Sequence, residues 1–148
     1  MKFFFNLKHY LYIGLREVLI YHHNSLEFRA KIFALIIAAN RHSSECEYTL
    51  VHKAGMQIYK NKERVDMLLL TTREYVKKVH RKNGLNIDDL IADIQKELHQ
   101  IPRYAAKIDI ASLYPIMECS TDEDTSTYQI RILEFLQALK EEYTKENQ

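Results

Sequence analysis

Apolar positions recur along this chain at helical rather than strand spacing, and the polar breaks between the runs carry helix-capping residues. The first segment, Lys2 to Tyr21, keeps Lys2, Asn6, His9 and Arg16 at helical spacing and leaves a broad apolar, aromatic face. Asn24 with Glu27 has the capping-box spacing and opens a helix from Ser25 to Ala39, with Phe28, Ile32, Leu35, Ile36 and Ala39 on one side. Asn40 to Ser43 is a polar break. Ser44 with Glu47 forms another box and predicts a helix to about Ile58. Asn61 caps a helix from Lys62 to Lys82 whose inward positions are Val65, Leu68, Leu69, Thr72, Val76 and Val79. Asn83-Gly84 supplies the left-handed stop, and Asn86 caps a helix to about Gln100. Pro102 suits a first turn, and one helix to Met117 is expected, apolar at Ala105, Ile108, Ala111, Leu113 and Ile116, with Pro115 near its end. Asp122 caps a last helix through Tyr143, with Ile130, Leu133, Leu136 and Ala138 among its apolar positions; a frayed tail follows over 144–148.

The sum is an all-α fold: one compact bundle of about seven helices filling residues 1–148 as a single domain, with an aromatic-rich N-terminal helix over 1–23 and a helical core over 25–143. The chain's 148 residues suit one domain, and its 3 Gly and 2 Pro allow few turns, which favours long helices over strands. Ile36, Leu69 and Leu133 are expected at the buried centres of their helices. No apolar stretch long enough to span a membrane is free of charge, and no cleavage site of a secretory signal follows the apolar start.

Charge is lopsided. Residues 1–82 hold 15 Lys and Arg against 7 Asp and Glu, whereas residues 83–148 hold 6 against 13. The plain reading is two halves that attract each other across one fold; the sharper one is a polar molecule that pairs head to tail or meets a charged partner. Cys46 and Cys119 have no zinc-ligand spacing, and are expected as free thiols in a reducing, cytoplasmic setting.

Catalytic motifs are absent from the sequence: it has no Gly-rich phosphate loop, no GxSxG elbow and no HExxH. His22 and His23 are adjacent, so on a helix they diverge and read as surface residues at a helix end. The basic run Arg73, Lys77, Lys78, His80, Arg81 and Lys82 closes a helix, where positive charge gains roughly 0.3–1 kcal/mol per residue from the helix dipole. That accounts for most of it; Arg73, Lys77, Lys78, Arg81 and Lys82 stand as the alternative basic patch, without the interleaved aromatics of a nucleic-acid face. The aromatic N-terminal helix, with Phe3, Phe4, Phe5, Tyr10, Tyr12 and Tyr21, has three readings: core, a membrane-surface helix, or a partner-docking face.

Two loops share a pattern. Ala39 to Glu47 and Met117 to Thr125 each join an apolar helix to a capped one, with a polar residue first (Asn40, Glu118), a capping residue four later (Ser44, Asp122) and a polar residue seven later (Glu47, Thr125). Apolar or aromatic positions follow at Leu50 and Tyr128. The pattern resembles the tellurite-resistance TerB family, including the related domain at the head of some membrane-anchored J-domain co-chaperones. In that family each half carries an Ala-Asp-Gly-x-x-Ser-x-x-Glu-like loop. The resemblance covers roughly Glu27 to Lys140 and implies an all-α bundle of two pseudo-repeated helix-loop-helix halves, with the two loops facing each other and acidic residues binding a divalent metal.

Here the first loop has Asn40 and Arg41 at the Asp and Gly positions and keeps Glu47; the second has Glu118 and Cys119 there, and Thr125 in place of Glu. The resemblance therefore implies a kept fold and a weakened metal site, with Glu47, Glu118 and Asp122 the candidate ligands and a divalent cation the sole candidate cofactor. The functional expectation is a non-enzymatic scaffold or interaction module with a protein partner, in the stress-response setting the resemblance implies. Its rivals are a divalent-metal sensor using the acidic loops and a nucleic-acid or anionic-membrane binder using the basic first half. Nucleic acid ranks below protein as partner, and peripheral membrane contact through the N-terminal helix and self-association stay open.

Overall fold

The structure is a computed structural model that describes residues 24–81 and 86–146. The expected helix Lys2–Tyr21, His22, His23, Lys82 and the Asn83-Gly84 stop lie outside the described residues. Among the described residues the chain forms α1 (Asn24–Ala38), α2 (Glu45–Tyr59), α3 (Lys62–His80), α4 (Ile87–Gln100), a 3-10 helix (Pro102–Lys107), α5 (Ile110–Met117) and α6 (Glu123–Glu146), with no strand.

α1 is the centre. Every residue from Ala30 to Ala38 is buried, so this helix has no solvent face along its second half. An α-helix that is apolar all round belongs inside a bundle. α3, α4, α5, α6 and the 3-10 helix all pack on it. Ile36 and Leu35 are fully enclosed, and burying a side chain of that size stabilises by about 1.5–3 kcal/mol.

Burying a helix end creates a problem, because its last carbonyls have no partner in the helix. Three separate elements solve it here. The Gln129 side chain of α6 donates to the Ile36 carbonyl at 3.0 Å. The Asn40 backbone N–H donates to Ile37 at 3.0 Å. His80, at the end of α3, donates through Nε2 to Ala38 at 3.1 Å.

The one charge in α1's buried half, Lys31, is paired with Glu97 of α4 at 3.0 Å and lies 5.8 Å from the Tyr75 ring centre. Lys31 belongs to the basic half of the sequence and Glu97 to the acidic half, so this pair joins the two. Glu27, one turn earlier, accepts a hydrogen bond from the Tyr75 hydroxyl of α3.

α2 and α3 form a tight antiparallel pair. Lys60 adopts the left-handed conformation (φ 51°) that ends α2, and Asn61 caps α3 by accepting from Arg64 N–H at 3.2 Å. Gly55 lets the pair close: a Cβ there would lie 3.1 Å from Val65 and 3.2 Å from Leu68.

Three expectations need correction. The segment Pro102–Met117 is two helices, not one. The 3-10 helix stops at Lys107, and Asp109 caps α5, accepting from Ser112 N–H at 3.3 Å and Ser112 Oγ at 2.6 Å. Ala111 is consequently exposed, while Ala105, Ile108, Leu113 and Ile116 are buried. In α6 the inward face is rotated by one position: Gln129, Ile132, Leu133, Leu136 and Leu139 are buried, whereas Ile130 and Ala138 are exposed, and the helix continues past Tyr143 to Glu146. In α3, Leu68 rather than Leu69 is the enclosed leucine; Leu69 and Val79 are half-buried at the edge of the core.

Leu68→Ala should therefore cost about 2–5 kcal/mol in urea unfolding, the range for emptying an enclosed leucine site. Leu69→Ala should cost less than half as much. Equal losses, or the reverse order, would mean that α3 presents a different face to the core.

Candidate functional site

The two patterned loops meet at one end of the bundle. α1 ends buried and forces the chain to turn at Asn40, while α5 ends at Met117 and Glu118 caps it. Each loop then enters a capped helix. Together they border an open groove of about 1280 Å³, whose walls include Asn40, His42, His80, Thr121, Asp122 and Tyr128.

A disulfide between Cys46 and Cys119 ties the loops, with their Cα atoms 5.8 Å apart. This corrects the expectation of two free thiols. The 73-residue separation hid the pairing, which exists because the first turn of α2 and the end of α5 converge on one another. In the loop-closure model a bond of this span removes about 4 kcal/mol of chain entropy from the unfolded state.

Inside the first loop, Glu47 is fully buried although it is a carboxylate. Its Oε1 accepts from the Asn40 side-chain amide at 3.0 Å and from Ser44 N–H at 3.2 Å, while Oε2 is buried without a partner. Asn40 also accepts from His42 N–H at 3.0 Å, so its one side chain holds both ends of the turn. Burial pushes the Glu47 carboxyl above its ordinary range, against the opposing pull of the Ser44 and Asn40 hydrogen bonds.

In the second loop Asp122 is exposed and caps α6. It accepts from the Thr125 hydroxyl at 2.7 Å and Thr125 N–H at 3.2 Å, and these bonds hold its carboxyl below the usual range.

The candidate metal ligands are thus placed differently from one another. Glu47 is buried beneath its loop, Glu118 is exposed at the end of α5, and Asp122 is committed to Thr125. Among the described residues no three His, Cys, Asp or Glu side chains are gathered so as to hold a metal ion. A hard cation wants six to eight oxygens. Glu47, Glu118 and Asp122 are not gathered into such a set, so these residues do not fit the metal that the family resemblance implies.

The basic run at the end of α3 is also divided. Arg73 makes a two-pronged ion pair with Glu45 (3.1 and 3.0 Å) and stacks 4.0 Å from the Tyr48 ring centre. Its guanidinium holds the Glu45 carboxyl below its ordinary value. Lys77, Lys78 and Arg81 are exposed, with Lys78 lying 5.6 Å from the Tyr75 ring centre. His80 belongs to the α1 end rather than to a cationic face. Sequence reasoning missed Gln129 altogether: nothing in a polar residue beside Ile130 signals that it is the buried one.

Glu47 should be visible in the pH dependence of stability. An acid whose pKa is raised on folding destabilises the fold once ionised, and that penalty is relieved as pH falls through the raised value toward 4.5. Compared with Glu47→Gln, the wild type should gain stability in urea unfolding as pH drops from 7 to 4.5. A relative loss over that window would show that the folded state prefers the ionised carboxylate. No protein-family model matches this chain, and neither a similar curated protein nor a similar solved structure was found.

Proposed function

We propose that this protein is a non-enzymatic, TerB-like interaction module that receives a segment of a partner protein in the groove between its two bonded loops. The observation that carries the reading is the groove itself: two loops from distant parts of the chain, fixed by a disulfide, flank a concave surface with the exposed Tyr128 on its wall. Tyrosine offers a large contact area with few torsions to immobilise, which is why it recurs at protein interfaces.

The non-enzymatic part is supported by what three of the polar groove residues already do. Asn40 holds the first loop, His80 caps α1 and Asp122 caps α6, so each is engaged in local structure. The family part is supported by the direct Asn40–Glu47 contact, since those residues occupy the first and eighth positions of the loop pattern, and by the two loops lying side by side. Membership also carries the stress-response setting. The cytoplasmic setting rested on free thiols. With Cys46 and Cys119 bonded, that ground is gone, because such bonds persist in oxidising surroundings. No helix among the described residues is long and apolar enough to cross a membrane.

A photoreactive phenylalanine analogue in place of Tyr128, irradiated in the native cell, should give one discrete cross-linked protein. The same analogue in place of Met56, equally exposed on α2 and away from the groove, should not. No adduct at Tyr128, or the same adducts from both positions, would remove the groove as the docking site.

A further inference from the structure

A second feature lies outside the groove. Arg29 of α1, Arg64 of α3, and Arg103 and Lys107 of the 3-10 helix are four cations that form no ion pair among the described residues; the pairs found there are Lys31–Glu97 and Arg73–Glu45. Three of the four, Arg29, Arg64 and Lys107, are half-buried. Arg29 and Arg64 flank the same ring, 5.5 and 5.8 Å from the centre of Tyr59, and the Tyr59 hydroxyl is buried without a partner. Lys107 is near enough to Arg29 and Arg103 to be repelled by both. Burial first, and then those two guanidinium groups, lower its pKa, and no carboxylate among the described residues offsets them.

Ring contacts account for part of this arrangement, since Arg103 also lies 5.7 Å from the centre of Tyr104, but no acid among the described residues pairs with any of the four. Like charges brought together and partly desolvated raise the energy of the folded state unless an anion compensates them. Arg64 stands in the first turn of α3, the helix end that disfavours positive charge. Lys31 and Arg73, by contrast, are each paired with an acid. Here α3 and the 3-10 helix both pack on α1, and none of the three supplies an acid partner to these cations among the described residues.

We propose that Arg29, Arg64, Arg103 and Lys107 form a binding site for a multiply charged phosphate group. Guanidinium groups present paired N–H donors that match two phosphate oxygens, and a lysine ammonium adds a point charge. A dianionic phosphate ester or a diphosphate matches the site better than a single carboxylate, because several positive charges meet there. None of the four residues lines the groove, so the site stands independently of the partner reading. The phosphate belongs either to a soluble molecule or to a lipid headgroup.

Titration calorimetry on the full chain with inorganic pyrophosphate, and sedimentation with equimolar phosphatidylcholine–phosphatidate vesicles, separate these sources. Pyrophosphate binding at about 1 mM or tighter marks a soluble ligand. Sedimentation with phosphatidate vesicles, but not with pure phosphatidylcholine, in the absence of pyrophosphate binding marks a headgroup. In either case Arg29→Gln with Lys107→Gln should weaken binding by at least about tenfold. Lys77→Gln with Lys78→Gln should leave it unchanged. Bound pyrophosphate should also move the Lys107 titration back up, read from the lysine side-chain NMR shift. The proposal is overturned if pyrophosphate does not bind the wild type at about 1 mM or tighter and phosphatidate vesicles do not sediment it, or if binding survives the Arg29 and Lys107 substitutions.

Discussion

The buried C-terminus of α1 is the constraint on which the rest of the molecule depends. A helix enclosed on all sides gains apolar burial along its length, but it also takes its last carbonyls out of water. The three bonds that satisfy Ile36, Ile37 and Ala38 come from α6, from the turn after α1 and from the end of α3. Those requirements place three distant stretches of chain at one end of the bundle. The groove is the result: Asn40 and His80 stand on its walls because they cap α1, and Gln129 anchors α6 one residue beyond Tyr128.

The same end of the molecule holds its least comfortable polar group. Glu47 is buried with one oxygen doubly hydrogen-bonded and the other unpartnered. An unpaired buried oxygen costs about 1–3 kcal/mol, more when charged. The carboxylate nonetheless fixes the Asn40–Ser44 turn, which seats Cys46 in the first turn of α2, opposite Cys119. Loop conformation, disulfide and groove are therefore one connected arrangement.

Much of this was legible in the sequence wherever a local rule governs. Asn61, Asn86 and Asp122 cap the helices they were expected to cap, and Glu47 closes back on Ser44. Each signal spans only three or four residues. Most errors arose where the deciding partner was distant. One was local: periodicity ran through Lys107 to Ile110 because Ala105, Ile108 and Leu113 are all apolar, which hid the Asp109 cap on Ser112. In α6, Gln129 and Ile130 exchange the roles their chemistry suggests, because the Ile36 carbonyl needs a donor. Chain separation concealed the disulfide. The four cations come from three separate stretches of sequence, so only the fold relates them, whereas the basic run ending α3, for which a patch was the alternative reading, is partly neutralised through Arg73.

Native-state hydrogen exchange tests most directly whether α1 is the element that everything else encloses. The amides of Ala34 to Ile37 should exchange only by global unfolding, with an opening free energy equal to that from urea denaturation. The first turns of α6 and α4 should open more readily. Exchange of the α1 amides through a local opening, at lower free energy than those turns, would contradict the account.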